Sequence, residues 1–359
     1  MPEPLPMFAP PPIAGSATLA LQASAANADH AAALHTAHGF DVVLTASTDP
    51  RQNPAATLER QARRFVELTG QTPELDSNRY AGNARSLGAT PLDRAWCERQ
   101  AALGVPRVLT NGGYIDSDVR DVAAAVRLAE DMQHVIDAPI MATIAINSTL
   151  LRTEPEALVD ILGGARVAVG LALGNAGDPL AAKSTVGSLI RVLALGNVEP
   201  RRVDLSGIGA LAFGAPGAAI GTTATLRHIY PMQKGGYAPS PYPSILVEKS
   251  LTWKTQDRVM DAAAVYDDDA FWVCECDTCF GRRIDHALRS EADIVAHNFG
   301  VIARIARKVL GSSDPVTTWM QMCSAAQSYS YDIHYSGPNW EPQEFLGAWW
   351  ANQPTRVGA

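Results

Sequence analysis

The chain has 359 residues, a hydrophobic content of 47% and a formal net charge of −8. This length suits one large barrel or two average domains, and no run of about 18 apolar residues predicts a transmembrane helix. The acidic balance argues against a general nucleic-acid binder, although an acidic protein can carry a local basic surface. Residues 1–16 are rich in proline and lack the features of a signal peptide. Composition therefore predicts a soluble cytoplasmic enzyme or binding protein.

Short β-branched runs alternate with helical runs along the chain. The predicted strands are residues 18–23, 41–45, 72–76, 107–110, 140–146, 167–173, 202–205 and 219–223. The predicted helices between several of them are residues 54–69, 91–103, 117–136, 155–162 and 179–195. Eight strands alternating with helices favour a (β/α)8 TIM barrel over an open doubly wound sheet. No GxGxxG follows the first strand, so the usual dinucleotide fingerprint is absent.

Polar side chains stand at the ends of several predicted strands. Asp76, Asn111 and Asn147 follow the third, fourth and fifth strands, and Asp204 lies within the strand predicted over residues 202–205. A charge in an apolar strand is costly to bury unless it is paired or functional. Because barrel strands end at one face, we expect these residues, together with Gly170, to line a common pocket there. Residues 230–250 are predicted to form a long ordered loop.

Three of the five cysteines fall within six residues, and a histidine follows in a helical run. The C-x-C-x2-C spacing of Cys274, Cys276 and Cys279, together with His297, matches the four ligands of a structural zinc site. Closely packed thiolates repel one another unless a cation neutralises them. Metal-free thiols and a labile disulfide remain alternatives, as does His286 in place of the fourth ligand.

The zinc segment resembles that of the tRNA-guanine transglycosylases, a family that includes queuine and archaeosine transglycosylases and DNA deazaguanine-inserting relatives. The resemblance continues upstream in Leu75-Asp76-Ser77, in the segment 169–174 and in Gly207-Ile208-Gly209. It implies an α/β fold, a (β/α)8 barrel over residues 17–359 with a small zinc-binding subdomain over residues 265–298, inserted near the last helix, and a Pro-rich tail over residues 1–16. The interval from Cys279 to His297 is shorter than in the family.

The resemblance also implies two catalytic carboxylates. Asp76 matches the acid/base residue, but Gly221 stands where the nucleophilic aspartate should be, so Asp204 is the candidate to replace it. The logic would be that of a retaining glycosidase, in which a carboxylate attacks the anomeric carbon. The residues expected to bind the substrate are Asn111, Asn147, Gly170, Leu171, Ala172, Arg227 and His228.

Two functions remain open at this stage. The first is a transglycosylase-like enzyme that exchanges a purine or 7-deazapurine base in tRNA or DNA. The second is a catalytically inactive, zinc-containing relative that binds nucleic acid or pairs with an active subunit in a homo- or heterodimer. Arg282, Arg283 and Arg289 near the zinc segment are predicted to contact phosphates, although a solvated helix face would look the same.

Overall fold

A computed structural model describes residues 17–49, 54–232 and 242–353 of the chain. The strands are β1 Thr18–Ser24, β2 Asp41–Thr45, β3 Glu74–Asp76, β4 Val108–Leu109, β5 Tyr114–Ile115, β6 Ile140–Asn147, β7 Ala168–Gly174, β8 Val198–Arg201, β9 Gly217–Gly221, β10 Ser244–Val247, β11 Thr252–Thr255, β12 Val273–Cys274 and β13 Arg282–Arg283.

The helices carry an apolar side that packs against the strands and a polar side that faces solvent. They are α1 Ala28–His38, α2 Pro54–Thr69, α3 Arg94–Ala102, α4 Val119–Gln133, α5 Thr149–Thr153, α6 Pro155–Gly163, α7 Lys183–Leu193, α8 Ser206–Ala212, α9 Gln256–Val265, α10 Asp269–Trp272, α11 Ile284–Ala287, α12 Glu291–Leu310, α13 Pro315–Tyr335 and α14 Glu344–Trp350. No helix among the described residues is long and apolar enough to cross a membrane.

Two parallel sheets form the centre of this α/β fold. One has the strand order β3-β2-β1-β9, and the other has the order β4-β6-β7-β8, with the short β5 also paired to β6. At one edge the sheets join, because Val203, just beyond β8, bridges to Ile220 of β9. At the other edge β3 and β4 are neighbours without ladder hydrogen bonds. The prediction of an α/β fold built on parallel strands is confirmed.

Buried ion pairs connect strands across the sheet interior at its amino-terminal end. Arg107 donates to Glu74 at 2.8 Å, which spans the gap between β3 and β4, and it also contacts Glu199. Arg201 donates to Glu74 at 2.5 Å and to Glu199 at 2.8 Å. Each carboxylate therefore has two guanidinium partners, which compensates for the cost of burying its charge.

The opposite end of the interior is closed by apolar side chains. Tyr80 and Tyr114 pack there with Ile229 and with three alanines, one of which lies on β6, one on β7 and one next to Tyr80. Gly174 has to be glycine, since a Cβ at that position would overlap the Tyr114 ring. The central mouth, where barrel sites usually gather, is consequently filled. Open space lies beside it, in a cavity against β7 and β8 and in a groove beside β5 and β6.

Several predicted element bounds need correction. The predicted strand over residues 202–205 is wrong: β8 ends at Arg201, and the following residues turn into α8. Arg202 has a φ of 52°, a left-handed conformation that no extended strand residue adopts. The predicted loop over 230–250 contains β10, while its residues 233–241 lie outside the described ranges. The predicted Pro-rich tail, residues 1–16, also lies outside them.

Candidate active site and metal centre

One cavity, termed the main cavity because two carboxylates line it, has a volume of about 210 Å³ and lies at the carboxyl ends of β7, β8 and β9. Other grooves on the described part of the chain are larger, up to about 770 Å³. Its charged and aromatic lining comes from four separate segments of the chain. These residues are Asp178, Arg201, Arg202, Asp204, Arg227, His228, Tyr230 and Trp253. The cavity thus combines two carboxylates with several cationic or aromatic groups in a partly enclosed space, as ligand sites commonly do.

Asp178 is held in the loop after β7 by two backbone N–H groups. Its Oδ1 accepts from Leu180 at 2.8 Å, and its Oδ2 accepts from Phe345, in the first turn of α14, at 3.2 Å. Burial, followed by repulsion from Asp204, raises the pKa of Asp178 to about 7. These two effects outweigh the backbone hydrogen bonds, which favour the charged form.

Asp204 lies directly before α8, where its Oδ1 accepts from the Ser206 N–H at 2.9 Å. Burial also raises the pKa of Asp204. Two carboxylates that repel each other in a shared, poorly hydrated space titrate as a pair. One of them therefore keeps a proton at a pH where isolated aspartates have lost theirs.

Cationic side chains occupy the other wall of the cavity. Arg227 lies flat on Trp253, with its guanidinium carbon 3.4 Å from the ring centroid. The only hydrogen bond of the Arg227 side chain among the described residues is a long one, 3.4 Å, from Nε to the Gly221 carbonyl. Burial lowers the pKa of Arg227 to about 10, so the group is still charged at neutral pH. Burial and nearby arginines lower the pKa of His228 to about 4, so its imidazole is neutral.

Arg202 connects the cavity wall to the ends of the neighbouring strands. Its guanidinium donates to Asn78 Oδ1 at 2.5 Å, to the Thr225 carbonyl at 2.6 Å and to the His228 carbonyl at 3.2 Å. Its backbone N–H donates to Gln22 at 2.7 Å. Since each guanidinium nitrogen of Arg202 has a partner, this residue fixes the loop that carries Arg227 and His228. No sequence motif marks it, and only its place after a strand could have suggested it.

Asp76 does not lie with Asp204 in this cavity. Its side chain accepts from Tyr80 at 2.5 Å, from Gln22 at 2.8 Å and from the Asn78 N–H at 2.8 Å, and the residue is 2% exposed. Burial raises the pKa of Asp76. The expectation of a single pocket holding Asp76, Asn111, Asn147, Gly170 and Asp204 is therefore wrong, because Asp204 alone of the five lines this cavity.

The other predicted substrate-binding residues are dispersed. Asn111 is buried and accepts from the Asp93 N–H at 3.0 Å, at the start of α3. Asn147 donates to Asp116 at 3.0 Å in a separate open groove. Gly170 faces Met141 and Arg201 inside the sheet. Leu171 lines the main cavity, whereas Ala172 belongs to the apolar cluster with Tyr80. Arg227 and His228 are the predicted residues that the structure brings together with Asp204.

The four predicted metal ligands lie together in a second site. Cys274, Cys276, Cys279 and His297 are all buried, and their ligand atoms lie within 4.8 Å of one another. His297 Nδ1 is 3.6, 3.4 and 3.3 Å from the three Sγ atoms in chain order. A tetrahedral ion with bonds of about 2.3 Å to sulfur and about 2.0 Å to nitrogen requires S···N separations of about 3.6 Å. The donor set therefore fits a metal ion.

The other ring nitrogen of His297 supports the same conclusion. Nε2 lies 2.9 Å from the Leu246 carbonyl of β10, so Nε2–H donates there and leaves the Nδ1 lone pair directed at the cysteines. A backbone carbonyl that fixes the tautomer in this way is typical of metal-binding histidines. His286 is exposed and lies 3.7 Å from Asp285. It is not part of the cluster, so the alternative prediction of His286 as the fourth ligand is wrong.

The arginines near the metal centre make local contacts. Arg282 donates to the Cys279 carbonyl at 2.8 Å, Arg289 donates to the His286 carbonyl at 2.8 Å, and Arg283 pairs with Asp285 at 3.1 Å and with Asp269. These bonds hold the metal segment in place. Whether the arginines also contact phosphates of tRNA or DNA stays a prediction.

Comparison with known proteins adds little to this geometry. No protein-family model matches the chain, and no curated protein matches it. Among solved structures, the chain is similar to a dihydrodipicolinate synthase family protein from Coccidioides immitis, with a TM-score of 0.35 and 12% identity over 94% of this chain and 89% of that one. A likeness this weak assigns no function.

The assignment to the tRNA-guanine transglycosylases is wrong. No family model matches the chain, so none supports it. The site disagrees as well. A Cβ built at Gly221 would overlap the backbone of Leu226, so the position expected for the nucleophile has no room for an aspartate. Asp204 is paired with Asp178 rather than with Asp76. Base exchange on nucleic acid is therefore not the chemistry of this site.

Proposed function

We propose that this protein is an enzyme in which Asp178 and Asp204 act as a general acid–base pair. The observation that carries the proposal is that both carboxylates line one cavity, where burial and then repulsion from Asp204 raise the pKa of Asp178 to about 7. General acid–base catalysis is most effective when the pKa of the catalytic group lies near the working pH. A protonated carboxyl beside an ionised one supplies both an acid and a base at one place.

The charged and polar groups around the pair set the pH range of this behaviour. Asp178 faces Asp204 and, more weakly, Glu344, and both raise its pKa. Asp204 faces Arg227, whose positive charge opposes the increase. Because the pKa of Asp178 is raised, its acid form is present at and below about pH 7 and is lost above it. Reactions that need the acid should slow as the pH rises through that value.

A reactive epoxide tests the pair without knowledge of the natural substrate. With glycidol, an ionised carboxylate oxygen attacks an epoxide carbon, the ring C–O bond breaks, and the protonated neighbour transfers its proton to the departing oxygen. The products are an ester on one aspartate and a free alcohol. We expect mass spectrometry to place this ester on Asp178 or Asp204, and we expect labelling to fall as the pH rises past about 7.

Matched variants make the outcome decisive. Asp178→Asn and Asp204→Asn should each lower the labelling rate by about a hundredfold or more, since each removes one partner of the acid–base pair. Asp160→Asn, which changes an exposed aspartate on α6, should react like the wild type. Labelling that survives in either cavity variant, or that continues unchanged at pH 9, would contradict the proposal.

Two further proposals concern the fold and the metal. We propose that the two parallel sheets form a (β/α)8 barrel, supported by the bridge between Val203 and Ile220 and by the contact of β3 with β4. We also propose that the metal is Zn²⁺ in a structural role, supported by a closed Cys3His donor set with no fifth side chain among the described residues. When bound, the ion would neutralise the thiolates and connect α12 to the segment 274–279. A dimeric state and a cytoplasmic location stay predictions.

A further inference from the structure

In the cationic wall of the main cavity, one guanidinium has no hydrogen-bond partner for either terminal nitrogen among the described residues. Arg201 donates to Glu74 and Glu199, and Arg202 donates to Asn78 and to two backbone carbonyls. Arg227 differs from both, because no hydrogen bond from its two terminal nitrogens is found among the described residues. These two nitrogens are therefore open to solvent or to a ligand that enters the cavity, and a ligand with two acceptor oxygens can bind both of them.

Trp253 orients this free guanidinium. Its ring holds the Arg227 plane by a cation–π contact of 3.4 Å, so the in-plane N–H edge remains available to a ligand. Asp204 interacts with Arg227 through space, but the two form no direct ion pair in the described part of the chain. Arg227 and the carboxylate pair thus lie on the boundary of one cavity with a gap between them.

We infer that Arg227 binds a carboxylate group of a small organic substrate and holds the rest of that molecule against Asp178 and Asp204. This inference rests on the proposed acid–base function of the same cavity. A planar carboxylate matches the arginine fork with two parallel hydrogen bonds. One free guanidinium balances one negative charge, whereas a phosphate would bring up to two charges toward a pair that is already anionic.

The size of the cavity limits the substrate further. About 210 Å³ is below the range of about 300–1,000 Å³ typical of sites for drug-sized ligands. A short carboxylic acid fits within this volume, whereas a nucleotide or a peptide would have to extend out of the cavity. The substrate class is therefore a small carboxylic acid with a reactive carbon or a leaving group close to its carboxylate.

The test compares two epoxides that differ in charge, with full-length, metal-loaded protein. Glycidate carries a carboxylate, and glycidol carries a neutral hydroxymethyl group of similar size. We expect glycidate to label the aspartate pair about ten- to a hundredfold faster than glycidol, the range expected for hydrogen bonds to a charged group. Arg227→Met should reduce this ratio to about one, and Arg227→Lys should keep part of it, since lysine retains the charge but not the fork.

Arg191→Met is the matched control, because Arg191 lies on the surface in an ion pair with Glu156. It should keep the wild-type ratio. Glycidate reacting no faster than glycidol, or a preference that survives in Arg227→Met, would overturn the inference. Protection from glycidate labelling by inorganic phosphate but not by propionate would also overturn it and would assign the site to phosphate.

Calorimetry with propionate separates this inference from the proposed function. If neither epoxide labels the protein but propionate binds to the wild type and about tenfold or more weakly to Arg227→Met, the acid–base function fails and the carboxylate site stands. If glycidol labels the pair but propionate binds equally to both proteins, the carboxylate site fails and the acid–base function stands.

Discussion

At the scale of single residues, the sequence revealed ligands with regular spacing and missed groups that come together only in the fold. Cys274, Cys276 and Cys279 could be predicted because their spacing reflects local geometry around a metal. Asp178 could not, since it stands in a loop without a motif, and its raised pKa depends on Asp204, which is distant in the sequence. Arg202 was missed for the same reason.

Gly221 shows how one residue excludes a chemistry. A Cβ at this position would lie inside the Leu226 backbone, so the loop after β9 has to move to admit any side chain. We expect Gly221→Ala to lower the free energy of unfolding by about 3 kcal/mol, the upper end of the usual range for overlap in a packed region, because the overlap is with backbone atoms. Gly177→Ala is the control. A Cβ at Gly177 would meet no atom within 4 Å, so this substitution should change the free energy of unfolding by no more than about 0.5 kcal/mol.

Urea unfolding of both variants would measure these values. If the Gly221→Ala protein is as stable as the Gly177→Ala protein, the loop after β9 can move at little cost in free energy. An aspartate could then be accommodated there, and the steric argument against a nucleophile at position 221 would fail.

At the scale of elements, the β10–β11 hairpin joins the metal centre to the cavity. Two residues of α12 bind Leu246 of β10. His297 Nε2 lies 2.9 Å from the Leu246 carbonyl, and Asn298 Oδ1 accepts from the Leu246 N–H at 2.7 Å. Leu246 is the register partner of Trp253 in β11, and Trp253 supports Arg227. Sequence analysis predicted the metal ligands but treated this region as a loop, because residues 230–250 are rich in turn-forming residues and the strand within them is short.

Removal of the metal should therefore change the environment of Trp253 in the cavity wall. We expect the purified protein to hold about one Zn²⁺ per chain, and we expect chelation to shift the indole NMR signal of Trp253 because the hairpin loses the anchor that His297 provides. The indole of Trp96 donates to the Leu109 carbonyl of the edge strand β4 at 3.0 Å, so its signal is an internal control and should not move.

Protein purified without denaturant and free of zinc would contradict the metal assignment. A Trp253 signal that is unchanged after chelation, in protein that has lost its metal, would contradict the coupling. An equal shift of Trp253 and Trp96 would indicate general unfolding rather than a path through the hairpin.

At the scale of the whole molecule, the alternation of strands and helices predicted the class of fold, because period and chain order are local properties. Predicted strands matched β1, β2, β6 and β7 closely, as these are long apolar runs. Other features depend on packing between distant segments. Tyr80 and Tyr114 fill the centre of the mouth, which moves the open cavity toward β7 and β8, and α14 donates a backbone N–H to Asp178. Neither the packing of the two tyrosines nor the contact from α14 could be predicted from residue patterns alone.

The central claim is that Asp178 and Asp204 share a proton in this cavity near neutral pH. NMR titration of full-length, metal-loaded protein labelled with ¹³C at the aspartate side-chain carboxyl carbon tests it most directly. We expect one carboxyl signal, absent from Asp178→Asn, to titrate near pH 7, and we expect its midpoint to fall in Asp204→Asn because the repulsion is gone. Asp160→Asn should leave it unchanged. A wild-type titration in which the Asp178 and Asp204 signals both have midpoints near the ordinary value of about 4 would contradict the account.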